Sequence, residues 1–349
     1  MRSILALMGQ PQLFSRPKAA AVEQAQLFEL RRTSFDTPEL RGLEFIEVEA
    51  KTVLNHVPGN RLPFRWTINP YRGCSHACVY CFARASHTFL GMNPGRDFET
   101  RIVVKVNVGE VLRAQLARKS WKGEHVAMGT NTDPYQAAEG RYRLMPGILR
   151  ALSDFRNPFS ILTKGTMILR DLPLLVEASR VAEVHTSLSI GTVDEDAWRA
   201  TEPGTPAPRK RLEAVRQLNQ AGIPCGVLMA PILPGITDDL QLLRRTASAA
   251  VEAGATRVYP ILLHLRPGVK EEFLGWLNRE YPGMAHRYQA LYRDRAYAPR
   301  FAQEELTKKM SAILADLPAP RPTEARFARR STVRDPQTAP ASPEQLPLV

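Results

Sequence analysis

The 349-residue chain is poor in cysteine, with four, and poor in aromatic residues, at 7%. So few cysteines exclude a disulfide framework and fit a reducing compartment. No apolar run is long enough to cross a bilayer. The apolar start, MRSILALMGQPQLFSRP, is short and has no small-residue cleavage site, so it does not read as a secretion signal. A cytoplasmic protein without membrane attachment is the expectation. Acidic residues are also in deficit: 35 Asp and Glu stand against 47 Lys and Arg, for a net charge of +12 and a pI of 9.8. That balance admits nucleic acid or another polyanion as partner, although no patch in the sequence singles out a binding face. The hydrophobic share of 44% is ordinary for a globular chain, and the length suits one α/β barrel.

Three of the four cysteines lie together, in Asn69-Pro70-Tyr71-Arg72-Gly73-Cys74-Ser75-His76-Ala77-Cys78-Val79-Tyr80-Cys81-Phe82, spaced C-x3-C-x2-C. Pro70, Arg72, Gly73, Ser75 and His76 make this loop chemistry rather than a core strand. Two metal readings remain. Cys74, Cys78 and Cys81 with His76 or His87 would complete a Cys3His zinc tetrahedron, although zinc sites usually pair one close cysteine pair with a distant second pair. Alternatively, three thiolates hold an iron–sulfur cluster, which four cysteines normally ligate, and leave one iron open. The remaining cysteine, Cys225, sits in an apolar run and reads as core.

The C-x3-C-x2-C loop, with Tyr80 before its last cysteine, resembles the cluster loop of the radical S-adenosylmethionine (radical SAM) superfamily. The resemblance implies a 4Fe-4S cluster on Cys74, Cys78 and Cys81. Its open iron takes the amino and carboxylate groups of SAM, and a reductant such as a flavodoxin or ferredoxin supplies the electron. Reductive cleavage of SAM then yields methionine and a 5′-deoxyadenosyl radical that abstracts hydrogen.

The chain in order carries a repeating pattern. Ala19 to Leu30 reads as a short helix, and Glu44 to Val53 as either a strand or an N-terminal extension, with no evident role. Strands are expected at Phe64–Asn69, Arg101–Val106, His125–Gly129, Phe159–Thr163, Val184–Ile190, Ile223–Ile232 and Arg257–Leu263. Helices are expected at Gly109–Lys119, Pro146–Phe155, Leu172–Ser179, Lys210–Ala221, Asp238–Ala253 and Lys270–Glu280. Gly222 and Gly254 stand where left-handed helix caps belong. Such alternation implies a parallel sheet with right-handed crossovers, here a partial (β/α)6 radical SAM barrel. On this count His125–Gly129 is the third strand. The expected divisions are an N-terminal extension (1–60), the barrel (61–282), a C-terminal helical segment (283–316) and a disordered Pro- and Arg-rich tail (317–349).

Function in such sheets gathers after the strand ends. Thr132-Asp133-Pro134-Tyr135-Gln136, followed by Glu139, forms a turn-rich run there and is similar to the spore photoproduct lyase-like branch of the superfamily, the DNA-repair type. The resemblance puts Thr132 and Asp133 at the methionine part of SAM, Lys164 at its carboxylate, Ser189 nearby and Tyr80 beside adenine. Pro231-Ile232-Leu233-Pro234-Gly235 resembles the adenine-side strand. Glu202-Pro203 and Arg211 match the branch and read as structural. Two departures stand out. Thr130 occupies the place of the branch's hydrogen-donating cysteine, and Phe82 that of its relay tyrosine. Neither readily donates a hydrogen atom, which argues against repair of the spore thymine lesion by that relay. Tyr135, Tyr142 and Cys225 are the hydrogen donors that chemistry alone offers. From another class, the charge and basic tail admit a zinc-stabilised nucleic-acid-binding protein without SAM chemistry.

Overall fold

The computed structural model describes residues 31–59 and 62–318. The expected helix at 19–30 and most of the expected disordered tail lie outside these residues. The strands, in chain order, are β1 (Arg31–Ser34), β2 (Glu44–Val48), β3 (Asn55–His56), β4 (Trp66–Ile68), β5 (Tyr71–Arg72), β6 (Arg101–Lys105), β7 (Val126–Met128), β8 (Phe159–Thr163), β9 (Val184–Ser189), β10 (Cys225–Ile232) and β11 (Val258–Leu262).

Six of them, in the order β11-β10-β9-β8-β7-β4, pair in parallel, and β3 adds an antiparallel edge. The first and last strands of this sheet do not pair with each other, so the barrel is open along one side. Helices at Val108–Leu116, Leu144–Asp154, Leu172–Ser179, Pro208–Gln220 and Leu240–Glu252 connect the strands, and a helix at Lys270–Glu280 follows β11. Gly222 and Gly254 take the left-handed conformation, both at φ 82°, as caps after their helices.

The expected second barrel strand is elsewhere. β6 joins a separate four-stranded sheet, β1-β2-β6-β5, pairing parallel with β2 and antiparallel with β5. β7 is therefore the second parallel strand of the barrel, not the third. Short-range pattern marks β6 as a strand but not which sheet receives it. Its partner β2 comes from the N-terminal extension, which thereby gains a role. Phe45, Tyr71, Ile102 and Val104 form a second, smaller core on one face of this sheet.

Alternation along the barrel strands separates two faces. Ile68, Val126, Met128, Phe159, Ile161, Leu188, Val227 and Met229 point outward into the main core beneath the helices. The alternate residues Ser160, Leu162, Ser187, Leu228 and Ala230 are only half-buried, and His185 and Tyr259 are exposed. Parallel sheets covered on both faces read as continuous apolar runs. Here the inner face mixes Ser, His and Tyr with Leu and Ala and is only partly covered. The helices at Ala285–Tyr292 and Arg300–Ala315 add Tyr288, Tyr292, Met310 and Ile313 to the main core.

Candidate active site

The cysteine loop leaves β5 and is held from three sides. Gly73 turns at φ 83°, and a Cβ there would lie 2.8 Å from the Arg101 carbonyl oxygen, so only glycine permits this approach. The buried Arg84 guanidinium donates to the carbonyls of Cys78 (2.9 Å from Nη2) and Gly95 (3.1 Å) and pairs with Glu99. On the third side the segment after Thr201 packs on the loop. Val79 N–H donates to the Thr201 carbonyl (3.1 Å), and Gly204 N–H to that of His76 (3.1 Å). A Cβ on Gly204 would stand 2.1 Å from the Ser75 carbonyl oxygen.

The Thr-Asp-Pro-Tyr-Gln run is a clasp on this loop. Thr132 Oγ1 donates to the Tyr71 carbonyl (2.8 Å). Gln136 Nε2 donates to the Gly73 carbonyl (3.0 Å), while its Oε1 accepts from Ser75 N–H (3.0 Å). Tyr71 donates its hydroxyl to Glu139 (2.6 Å), which also accepts from Arg170 and from two backbone N–H groups. Asp133 accepts from Tyr135 N–H (2.8 Å), Thr163 Oγ1 (2.5 Å) and Lys164 N–H (2.7 Å), with His76 Nδ1 at 3.4 Å. Burial alone would raise its pKa. His76 and these donors outweigh burial and hold the carboxyl below its usual range.

Lys164, Ser189 and Tyr80 converge around Glu202. The Lys164 ammonium donates to Ser189 Oγ, lies 3.3 Å from Glu202 and sits 5.8 Å from the centre of the Tyr80 ring. Glu202 also accepts from the Tyr80 hydroxyl and pairs with Arg211 at 2.6 Å. Arg211, 1% exposed, binds the Ser189 carbonyl at 2.7 Å. Burial opposes ionisation of Glu202, but Arg211 and Lys164 prevail and hold its pKa at about 2. Glu202 and Arg211 are thus the hub of the group, a role that Glu-Pro and Arg-Leu pairs do not reveal in sequence. The buried Arg211 Nε and the Asn69 and Asn131 side-chain oxygens lack partners, as expected of a rim shaped for a ligand.

The donor set fits a cationic metal centre. Burial pushes all three loop thiols up; the charges of Asp133 at Cys74 and Glu202 at Cys78 add to it, while Arg84 opposes it at Cys81. A cation is what would make three thiolates stable here. Of the imidazoles in the zinc alternative, His87 Nε2 meets the Arg101 carbonyl at 3.0 Å and His76 Nδ1 faces Asp133 at 3.4 Å, while His87 Nδ1 is buried without a hydrogen-bond partner. Among the described residues no three His, Cys, Asp or Glu side chains are drawn together as ligands of one ion.

The sequence-level hydrogen donors do not reach the rim. Tyr135 and Cys225 lie in the main core, and Tyr142 packs on Phe35 and Phe45. A cavity of about 590 Å³ opens at Ala77, Val79, Asp196 and Trp276, but Tyr80, Lys164 and Ser189 do not line it. No described helix is long and apolar enough to cross a membrane.

Comparison with known proteins agrees with this geometry. An uncharacterised protein of Mycobacterium tuberculosis is 47% identical over 300 residues, covering 84% of this chain and 88% of that protein. An uncharacterised protein of Methanocaldococcus jannaschii is 28% identical over 242 residues, covering 69% and 85%. Among solved structures, a spore photoproduct lyase variant has the same fold, with a TM-score of 0.55 at 15% identity over 89% of this chain and 95% of that one. Another variant, holding AdoMet and a dinucleoside spore photoproduct, has a TM-score of 0.55 at 16% identity, over 83% and 86%. The radical SAM superfamily model matches residues 68–246, from the end of β4 into the helix that follows β10, and the chain belongs to that superfamily of enzymes.

Proposed function

We propose that Cys74, Cys78 and Cys81 hold a 4Fe-4S cluster and that the rim beside them holds S-adenosylmethionine for reductive cleavage. When bound, the cluster supplies the electron that breaks the sulfonium bond and frees a 5′-deoxyadenosyl radical for hydrogen abstraction. The observation that carries this reading is the locked cysteine loop meeting the Lys164–Ser189–Glu202–Arg211 group at one rim.

The chain's own residues divide the work. Glu202 neutralises Arg211 and holds the Lys164 ammonium in place, so that this ammonium offers its charge to the SAM carboxylate without searching rotamers. Ser189 passes a hydrogen bond on to the Ala230 carbonyl at 2.9 Å and fixes the lysine's other side. Tyr80, anchored through its hydroxyl, turns a ring toward the adenine. Thr132 and Asp133 border the methionine end through the loop that they fasten. A nucleic acid fits the net charge of +12 and the dinucleoside ligand in the structural neighbour. A flavodoxin or ferredoxin as electron donor, and a cytoplasmic setting, fit a cluster that must be reduced.

Anaerobic reconstitution with iron and sulfide tests the proposal. The expected result is a brown protein that releases 5′-deoxyadenosine from SAM under a strong reductant. A colourless protein that binds one zinc per chain and leaves SAM intact would overturn it.

A further inference from the structure

Beside the cysteine loop a buried lysine and a half-buried arginine share one sheet face, and among the described residues neither has a carboxylate partner. In the small sheet Arg72 pairs with Val103 and Tyr71 with Val104. Tyr71 and Val104 enter the second core, so Arg72 and Val103 point to the opposite face. Lys105, two residues beyond Val103, shares that face and is the diagonal neighbour of Arg72, close enough for long side chains to meet. Lys105 is only 9% exposed, and Arg72 is half-buried.

The acids nearby are spent or turned away. Glu44, opposite Arg101 on the same face, is four residues along the strand from Lys105, about 13 Å away, and already pairs with Arg32 and Arg101. Glu47 stands opposite Val104 on the other face and pairs with Arg31. Among the described residues no carboxylate pairs with the side chain of Lys105 or Arg72. Burial first, and then the Arg72 charge, bring the Lys105 pKa down to about 7. Buried cations are ordinarily paired, and leaving one unpaired is strongly unfavourable.

We infer that Arg72 and Lys105 form a binding site for a phosphoryl dianion, such as the terminal phosphate of a nucleotide or oligonucleotide, next to the cluster loop. An anion seated between the two side chains would restore the proton of Lys105, and a phosphate monoester supplies two negative charges near neutral pH where an internal phosphodiester supplies one. Arg72 offers a planar fork and Lys105 a point charge, a combination suited to phosphate oxygens. The inference does not rest on SAM chemistry, and its test reads binding alone.

The test uses the full chain with its cluster reconstituted and no SAM, at constant ionic strength. Thermal unfolding and calorimetry are followed with inorganic phosphate, with AMP and with a 5′-hydroxyl oligonucleotide. Phosphate and AMP should raise the unfolding midpoint. Lys105→Met should weaken both by about tenfold or more, the loss of one charge-assisted contact, and should raise the midpoint of the ligand-free protein. Lys105→Arg should keep most of the affinity. An equal response of wild type and Lys105→Met, or no response to phosphate and AMP, overturns the inference. Lys105-dependent binding of the hydroxyl-ended oligonucleotide alone overturns the assignment to a dianion.

Discussion

Replacing Glu202 by glutamine tests the hub of the rim. The carboxylate is buried among Arg211, Lys164 and the Tyr80 hydroxyl, and its pKa falls from 4.5 to about 2. A group whose folded pKa is depressed contributes stability above its unfolded pKa and loses it as pH falls through the folded value. The shift corresponds to roughly 3 kcal/mol at neutral pH, in line with about 3–5 kcal/mol for breaking a buried pair from one side. Glu202→Gln should therefore destabilise the cluster-free chain by about 3 kcal/mol at pH 7. The gap should begin to close below about pH 4.5, shrink to roughly half by pH 3 and vanish below pH 2, because the wild-type group is then protonated too. Urea titrations of both proteins at several pH values measure it. A gap under about 1 kcal/mol at pH 7, or one that does not change with pH, would refute the electrostatic account of the hub.

Cys78→Ala should abolish both the brown colour and SAM cleavage. Cys225→Ala should keep both and cost about 1 kcal/mol of stability, as iron content and melting curves would show. Gly204→Ala should displace the cysteine loop, because its Cβ would lie 2.1 Å from the Ser75 carbonyl oxygen. Reduced iron loading in a folded protein is the expected reading, and full loading would contradict the packing argument. Gln136→Ala leaves Ser75 N–H without its partner and should cost about 1–3 kcal/mol together with iron occupancy. Lys164→Ala should leave the cluster absorbance intact and weaken SAM binding by about tenfold; unchanged binding would remove Lys164 from the site.

Much of this protein was legible before folding. Cysteine spacing marked the loop, because three cysteines within eight residues are a local feature of the chain. The strand–helix alternation from Phe159 onward matched the structure almost residue for residue, because period and glycine caps are local as well. Membership of β6 in a second sheet was not legible, since pairing with β2 joins segments more than fifty residues apart. The Thr-Asp-Pro-Tyr-Gln run was visible as a rim motif. Its work as a clasp, with Thr132 on Tyr71 and Gln136 on Gly73 and Ser75, depends on a chain crossing that no window of sequence contains.

By itself the sequence determined the chemistry on offer: three thiols on one loop, a strand-end lysine, a surplus of positive charge and a barrel to display them. Only the tertiary structure decided which charges meet. It set Glu202 between Lys164 and Arg211, set one imidazole nitrogen of His76 against Asp133 and one of His87 against the Arg101 carbonyl, and left Arg72 and Lys105 on one sheet face without a carboxylate partner among the described residues. The physical reason is that charge type is a property of each residue, whereas pairing and desolvation are properties of distance.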